Sequence, residues 1–230
     1  MKKKMLFLIT FLVHIIICAQ TFADNNITYK VISANTVEIT GYDNTGGTNV
    51  TIPATVANAL TTYNVTSIGA LAFFNKGLTS VIIPNSVTNI SNVAFRVNQL
   101  TNVTIPNSVN NIGVGAFVSN PLLTSVTFGS SLNTIGSSSF GGCALTHIDI
   151  PDSVTTIGNA AFGNNQLESI TLGTNVSTIG TSAFTGNTST LNTVISKAIT
   201  PPTITTGGTT DTFNPGGDRS GIDLIVPGGT

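Results

Sequence analysis

Apolar residues recur along this chain in a repeated figure, one pair spaced by two residues followed by another spaced by three. A leucine opens each copy at Leu78, Leu100, Leu123, Leu145, Leu167 and Leu191. Three residues on stands Val81, Val103, Val126, Ile148, Ile170 or Val194, and two beyond that Ile83, Ile105, Phe128, Ile150 or Leu172, with Ser196 in the last copy. Spacing by two with polar residues between, largely β-branched, predicts a short strand at the head of each copy. Pro84, Pro106, Gly129, Pro151 and Gly173 then end the strand, where a missing N–H or a permissive backbone turns the chain. The second pair, as in Val87/Ile90 or Val154/Ile157, is expected to line the same interior from the opposite wall. Each copy closes on an aromatic at Phe73, Phe95, Phe117, Phe140, Phe162 and Phe184, a step of 22 residues that slips once to 23. The small residues before it, as in Gly158-Asn159-Ala160-Ala161-Phe162, predict one helical turn that drops the ring inside.

A fixed period of this length marks a solenoid, whose units bury their apolar faces only against one another. The expected fold is a mostly β coil of parallel short strands with single helical turns and a phenylalanine ladder. At a strand spacing of roughly 4.8 Å, six repeats and their caps make a curved rod on the order of 35–40 Å long.

The order Leu-x-x-Val-x-Ile-Pro, then Ser-Val-x-x-Ile-Gly, then Ala-Phe resembles the leucine-rich repeat of the BspA type, found on surface proteins of bacteria and some protozoa. Residues 78–95 match almost throughout, and the resemblance runs over about residues 65–196. Residues 29–56 are similar to the opening hairpin of such proteins. The stretch with Pro201-Pro202, Phe213 and Leu224-Ile225-Val226-Pro227 is similar to their closing segment. The resemblance implies a right-handed solenoid on a secreted or surface-attached protein, a role in adhesion, and no catalytic residues. The expected organisation is residues 1–23 as a secretory signal, 24–66 as hairpin cap and first partial repeat, 67–195 as repeats, and 196–230 as closing cap or tail.

The N-terminal reading rests on Lys2, Lys3 and Lys4, an apolar run from Met5 to about Cys18, and small residues at Ala19 and Ala23. The run is shorter than the roughly 20 residues a bilayer span needs, so export with cleavage after Ala19 or Ala23 is expected, and no membrane span in the mature chain. Lipidation at Cys18 is the weaker alternative, because Ile17 stands where a small residue is wanted. Removing the three lysines leaves five basic and nine acidic residues, a net charge of −4. That balance offers phosphates no positive stripe and argues against nucleic acid and anionic lipid as partners. A surface of Thr, Ser and Asn instead suits an extracellular protein or glycan, bound without salt-dependent steering.

On each opening strand the residues alternating with the apolar ones fall into two outward columns. One is Ser80, Asn102, Ser125, His147, Ser169 and Thr193, and the other is Ile82, Thr104, Thr127, Asp149, Thr171 and Ile195. The candidate ligand-binding face is Ser80, Asn102, Thr104, Ser125, Thr127, His147, Asp149, Ser169 and Thr171, against the alternative of a passive spacer whose strands are merely soluble. His147 with Ser125, Ser169 and Asp149 supplies the parts of a nucleophilic triad, yet an open sheet lacks oxyanion donors and water exclusion, so no enzyme is expected. Nor does the pattern call for a cofactor or metal. Cys143, aligned with Asn98, Pro121 and Asn165 just before the opening leucine, reads as a buried ladder residue with no disulfide partner. Asn-x-Ser/Thr matches at Asn26, Asn49, Asn64, Asn102, Asn175 and Asn187 would be glycosylated only in a eukaryotic source.

Overall fold

The computed structural model describes residues 20–187, 191–200, 202–204 and 223–225. Residues 1–19 of the expected signal, Pro201, and most of the expected closing segment, Phe213 included, lie outside them.

The chain enters through β1 (Thr21–Asp24), β2 (Ile27–Val31) and β3 (Thr36–Tyr42), an antiparallel meander. Next come β4 (Asn49–Thr51), β5 (Thr55–Asn58) and β6 (Thr61–Ile68); β5 hairpins onto β6, which lies parallel to β3. Each later coil supplies a strand from its opening segment and a two-residue strand after the corner. The pairs are β7 (Ser80–Ile82) with β8 (Asn89–Ile90), β9 (Asn102–Thr104) with β10 (Asn111–Ile112), and β11 (Ser125–Thr127) with β12 (Thr134–Ile135). Then follow β13 (His147–Asp149) with β14 (Thr156–Ile157), and β15 (Ser169–Leu172) with β16 (Thr178–Ile179). The last are β17 (Thr193–Ser196), β18 (Thr203–Ile204) and β19 (Asp223–Ile225).

The two-residue strands continue the cap sheet without interruption from β6 through β8, β10, β12, β14 and β16 to β18, all parallel and in one register. The opening strands make the facing wall. The interior between them is one apolar cluster running from Ile27 to Val194. At its centre the six predicted phenylalanines are fully buried, stacked with successive centroids 4.9, 5.1, 5.2, 5.5 and 5.7 Å apart and planes within 8° of parallel.

The segment before each phenylalanine is not the expected helical turn. Ala72, Ala116, Ser139, Ala161 and Ala183 donate to the carbonyl three residues back, but the residue just before each has a positive φ, at Leu71, Gly115, Ser138, Ala160 and Ser182. A left-handed residue cannot continue a right-handed helix, so the chain makes tight turns instead. The amides of the phenylalanines leave their own coil and bond the next, as in Phe95 to Ala116 at 2.7 Å and Phe140 to Ala161 at 2.8 Å. The turns thus form a third hydrogen-bonded wall.

A polar ladder that the sequence reading did not see runs beside the rings. The Asn98 side chain donates to the carbonyls of Phe73 and Phe95 at 2.8 and 2.9 Å and accepts from Leu78 N–H at 3.0 Å. Asn120, Asn165 and Asn187 repeat the bridge in three later coils, joining consecutive phenylalanine carbonyls and accepting from Leu100, Leu145 and Leu167. The asparagine column lies three residues past each phenylalanine, so Cys143 aligns with Asn120 rather than with Pro121. Counting back from leucine missed this because the extra residue of the 23-residue step falls between them. The same insertion explains why cysteine is tolerated there. The Leu123 N–H, which an asparagine would otherwise serve, bonds the Asn120 backbone carbonyl at 3.0 Å, and Phe117 and Phe140 each keep one asparagine donor. Cys143 is buried, its thiol pushed up to about 11 by desolvation, so it stays protonated at neutral pH. Asn187 is 1% exposed with its amide spent on the ladder, which corrects its reading as a glycan acceptor.

Phe117→Ala is expected to lose about 3–5 kcal/mol, as for other buried aromatics, and a melting curve little changed would refute the ladder's role. Asn165→Ala strips a donor from two buried carbonyls and a partner from Leu145 N–H, at about 1–3 kcal/mol for a buried polar group left unsatisfied. Chemical denaturation should show a midpoint shift without loss of cooperativity.

Candidate ligand-binding face

The opening strands place the predicted columns outward. Val81, Val103 and Ile148 are buried between exposed or half-buried neighbours, as period-two alternation requires. Register aligns Ser125 with Asn102 and Thr127 with Thr104, and separately His147 with Ser169 and Asp149 with Thr171. Ser80 aligns with Asn49 and donates to its side chain at 2.8 Å.

The wall is not one sheet. Its strands fall into β4–β7, β9–β11 and β13–β15–β17–β19, with no ladder joining β7 to β9 or β11 to β13. The nine candidate residues therefore sit on three hydrogen-bonded pieces of the wall: Ser80 belongs to the first, Asn102, Thr104, Ser125 and Thr127 to the second, and His147, Asp149, Ser169 and Thr171 to the third.

At the second break the wall opens into a cleft of about 450 Å³ lined by Thr124 to Phe128, Thr146, His147, Asp149, Ile150, Pro151 and Lys197. Phe128 lies at this break. A phenyl ring occupies a column that is aliphatic in four of its other copies and serine in the last, and it packs edge-on against Phe140 and Phe162, at 5.5 and 6.4 Å between centroids. A ring wider than its aliphatic equivalents is expected to hold its wall off strand spacing. Val126 beside it is only partly buried, unlike its equivalents in the column.

One side of the cleft carries charge. His147 Nε2 lies 3.2 Å from Asp149 Oδ2, and His147 Nδ1 lies 2.6 Å from Ser169 Oγ. Burial alone would raise the Asp149 pKa, but hydrogen bonds from Thr171 and His147 and the charges of His147 and Lys197 outweigh it and hold the carboxyl below its ordinary value. Asp149 is thus anionic at neutral pH. Ser169, and not Ser125, reaches the imidazole. The order is transposed from a hydrolase triad, with serine on Nδ1 and the carboxylate on Nε2. The His147 and Asp149 side chains are 52% and 71% exposed, so water has free access. Among the described residues no three His, Cys, Asp or Glu side chains gather to hold a metal ion.

Lys197 and Phe128 escaped the sequence reading as site residues. Phe128 had a signal, the one aromatic in its column; Lys197 had none, because it lies past the last readable repeat.

Six copies of the BspA type leucine-rich repeat region model match the chain, over residues 15–128, 42–166 and 115–205. The chain belongs to the BspA-type leucine-rich repeat family. Among solved structures, this BspA-type chain is similar to a leucine-rich cell surface protein from Faecalibacterium prausnitzii, at 30% identity and TM-score 0.60, over 80% of this chain and 56% of that one. It therefore spans little more than half the length of that relative. A leucine-rich repeat protein of T. pallidum shares the fold at 20% identity and TM-score 0.53, over 79% of this chain and 83% of that one. No curated relative matches. Among the described residues of this BspA-type solenoid, no helix is long and apolar enough to cross a membrane.

Phe128→Ile is expected to let β11 and β13 approach. Amide exchange at Val126, Phe128, His147 and Asp149 should slow by about tenfold or more, because exchange tracks the free energy of local opening. Unchanged exchange would remove Phe128 as the cause of the cleft.

Proposed function

We propose that this protein is an exported, surface-exposed binding module, without enzymatic activity, that holds an extracellular protein or glycan on the wall of opening strands. The observation that carries the reading is the cleft between β11 and β13. There an otherwise hydroxyl-bearing wall gains an anionic carboxylate, an imidazole, an ammonium group and the edge of a phenyl ring. Hydroxyls and amides elsewhere on the wall supply neutral hydrogen-bonding groups, which suit sugars and peptide backbones alike. Export is supported by the lysine-led apolar start and by the cell surface character of the Faecalibacterium relative. The acidic balance of residues 24–230 argues against nucleic acid.

Binding should be measured against immobilised matrix proteins and a glycan array, with the wild-type chain and a Thr127→Ala/Asp149→Ala double variant. The variant is expected to weaken any ligand by about tenfold, or 1.4 kcal/mol. Equal affinity would move the binding surface elsewhere. Failure of the wild type to hold any arrayed ligand would favour a spacer role.

A further inference from the structure

Two peptide bonds near the N-terminus offer a small residue for cleavage, Ala19–Gln20 and Ala23–Asp24. Small-residue preference alone favours the later one, since Thr21 stands two residues before Ala23 where Ile17 stands before Ala19. The fold points the other way.

Residues 21–24 are built into the cap. Thr21 pairs with Lys30, Phe22 with Tyr29, Ala23 with Thr28 and Asp24 with Ile27, and the Gln20 carbonyl accepts from Val31 N–H at 2.9 Å. Phe22 stacks on Tyr29 at 5.4 Å with planes 25° apart, lies 5.9 Å from Tyr63, and packs against the solenoid interior. Tyr29 is fully buried. β1 is also the last strand of the long sheet, so it shields the outer edge of β2. A chain beginning at Asp24 would keep one of the four register pairs, lose the aromatic cover over Tyr29 and Tyr63, and bare that edge to association. A chain beginning at Gln20 would keep every one of these contacts.

We infer that the mature protein begins at Gln20, an inference that rests on the export reading above. A peptidase whose subsite takes the methyl of Ala19 adds water across the Ala19–Gln20 amide, leaving a carboxylate on Ala19 and an α-amine on Gln20. The chain it leaves keeps every described strand of the cap.

The full-length chain should be expressed with its N-terminus intact in an exporting bacterial host, and the protein outside the cytoplasm analysed by intact mass and N-terminal peptide mapping. The expected product begins at Gln20, either free or cyclised with loss of ammonia. A product beginning at Asp24, or a lipid-bearing one beginning at Cys18, would overturn the inference while leaving export standing. Uncut protein retained in the cytoplasm would overturn both. In parallel, purified chains beginning at Gln20 and at Asp24 should be melted side by side. Loss of β1 is expected to lower Tm by roughly 5–10 °C, the shift that a few kcal/mol produces in a domain of this size. Equal melting temperatures would remove the structural basis of the inference.

Discussion

The whole molecule depends on bonds and contacts that pass from one coil to the next. A single coil of about 22 residues has no closed interior. Its phenylalanine ring is covered above and below by rings of its neighbours, its phenylalanine N–H bonds the coil ahead, and its asparagine bridges two successive carbonyls. These three interactions run along the same axis with nearly the same repeat length, so they reinforce one another. The turn wall can then tolerate a local cost. Val93 and Val97 hold φ of +53° and +59°, a region that disfavours β-branched residues, because the bonds on either side of them are fixed by adjacent coils.

That dependence also explains what the ends require. A coil without a neighbour exposes rings, carbonyls and strand edges together. The first coil is covered by the β1–β2–β3 meander, whose parallel contact with β6 makes it an extension of the second wall rather than a separate lid. The first coil already carries the repeat's outward columns, since Asn49 and Thr51 register with Ser80 and Ile82. It is obscured in the sequence because the β5–β6 hairpin interrupts its spacing.

Much of the fold was legible for a physical reason. Burial acts on each coil alike, so Leu, Val, Ile and Phe recur at fixed offsets and the interior can be read off as columns. What was not legible involved interactions without a hydrophobic signature. The asparagine ladder is written in polar residues within a chain already rich in asparagine, and the single insertion shifted its alignment against the leucines. The turns before phenylalanine look helical by composition, since Ala and Ser suit helices, but their backbone is set by hydrogen bonds to the next coil. The outward columns alternate with buried residues as read, whereas the breaks between their strands have no counterpart in the residue pattern, since one falls beside Phe128 and the other between copies that both carry isoleucine.

Away from the two ends of the solenoid, the irregularities are not scattered. The 23-residue step, the cysteine that replaces a ladder asparagine, and the phenylalanine in an aliphatic column all fall between Asn120 and Cys143. The cleft opens along that same coil. A repeat protein selected for stiffness alone gains nothing from concentrating its departures in one place, because each weakens the stacking that sustains its neighbours. Departures that meet beside the His147–Asp149 pair and Lys197 support the binding face proposed above, since local rules are expected to fail where a protein does something besides fold. On that reading, the rest of the solenoid is the frame that holds the two lips of the cleft in fixed relation.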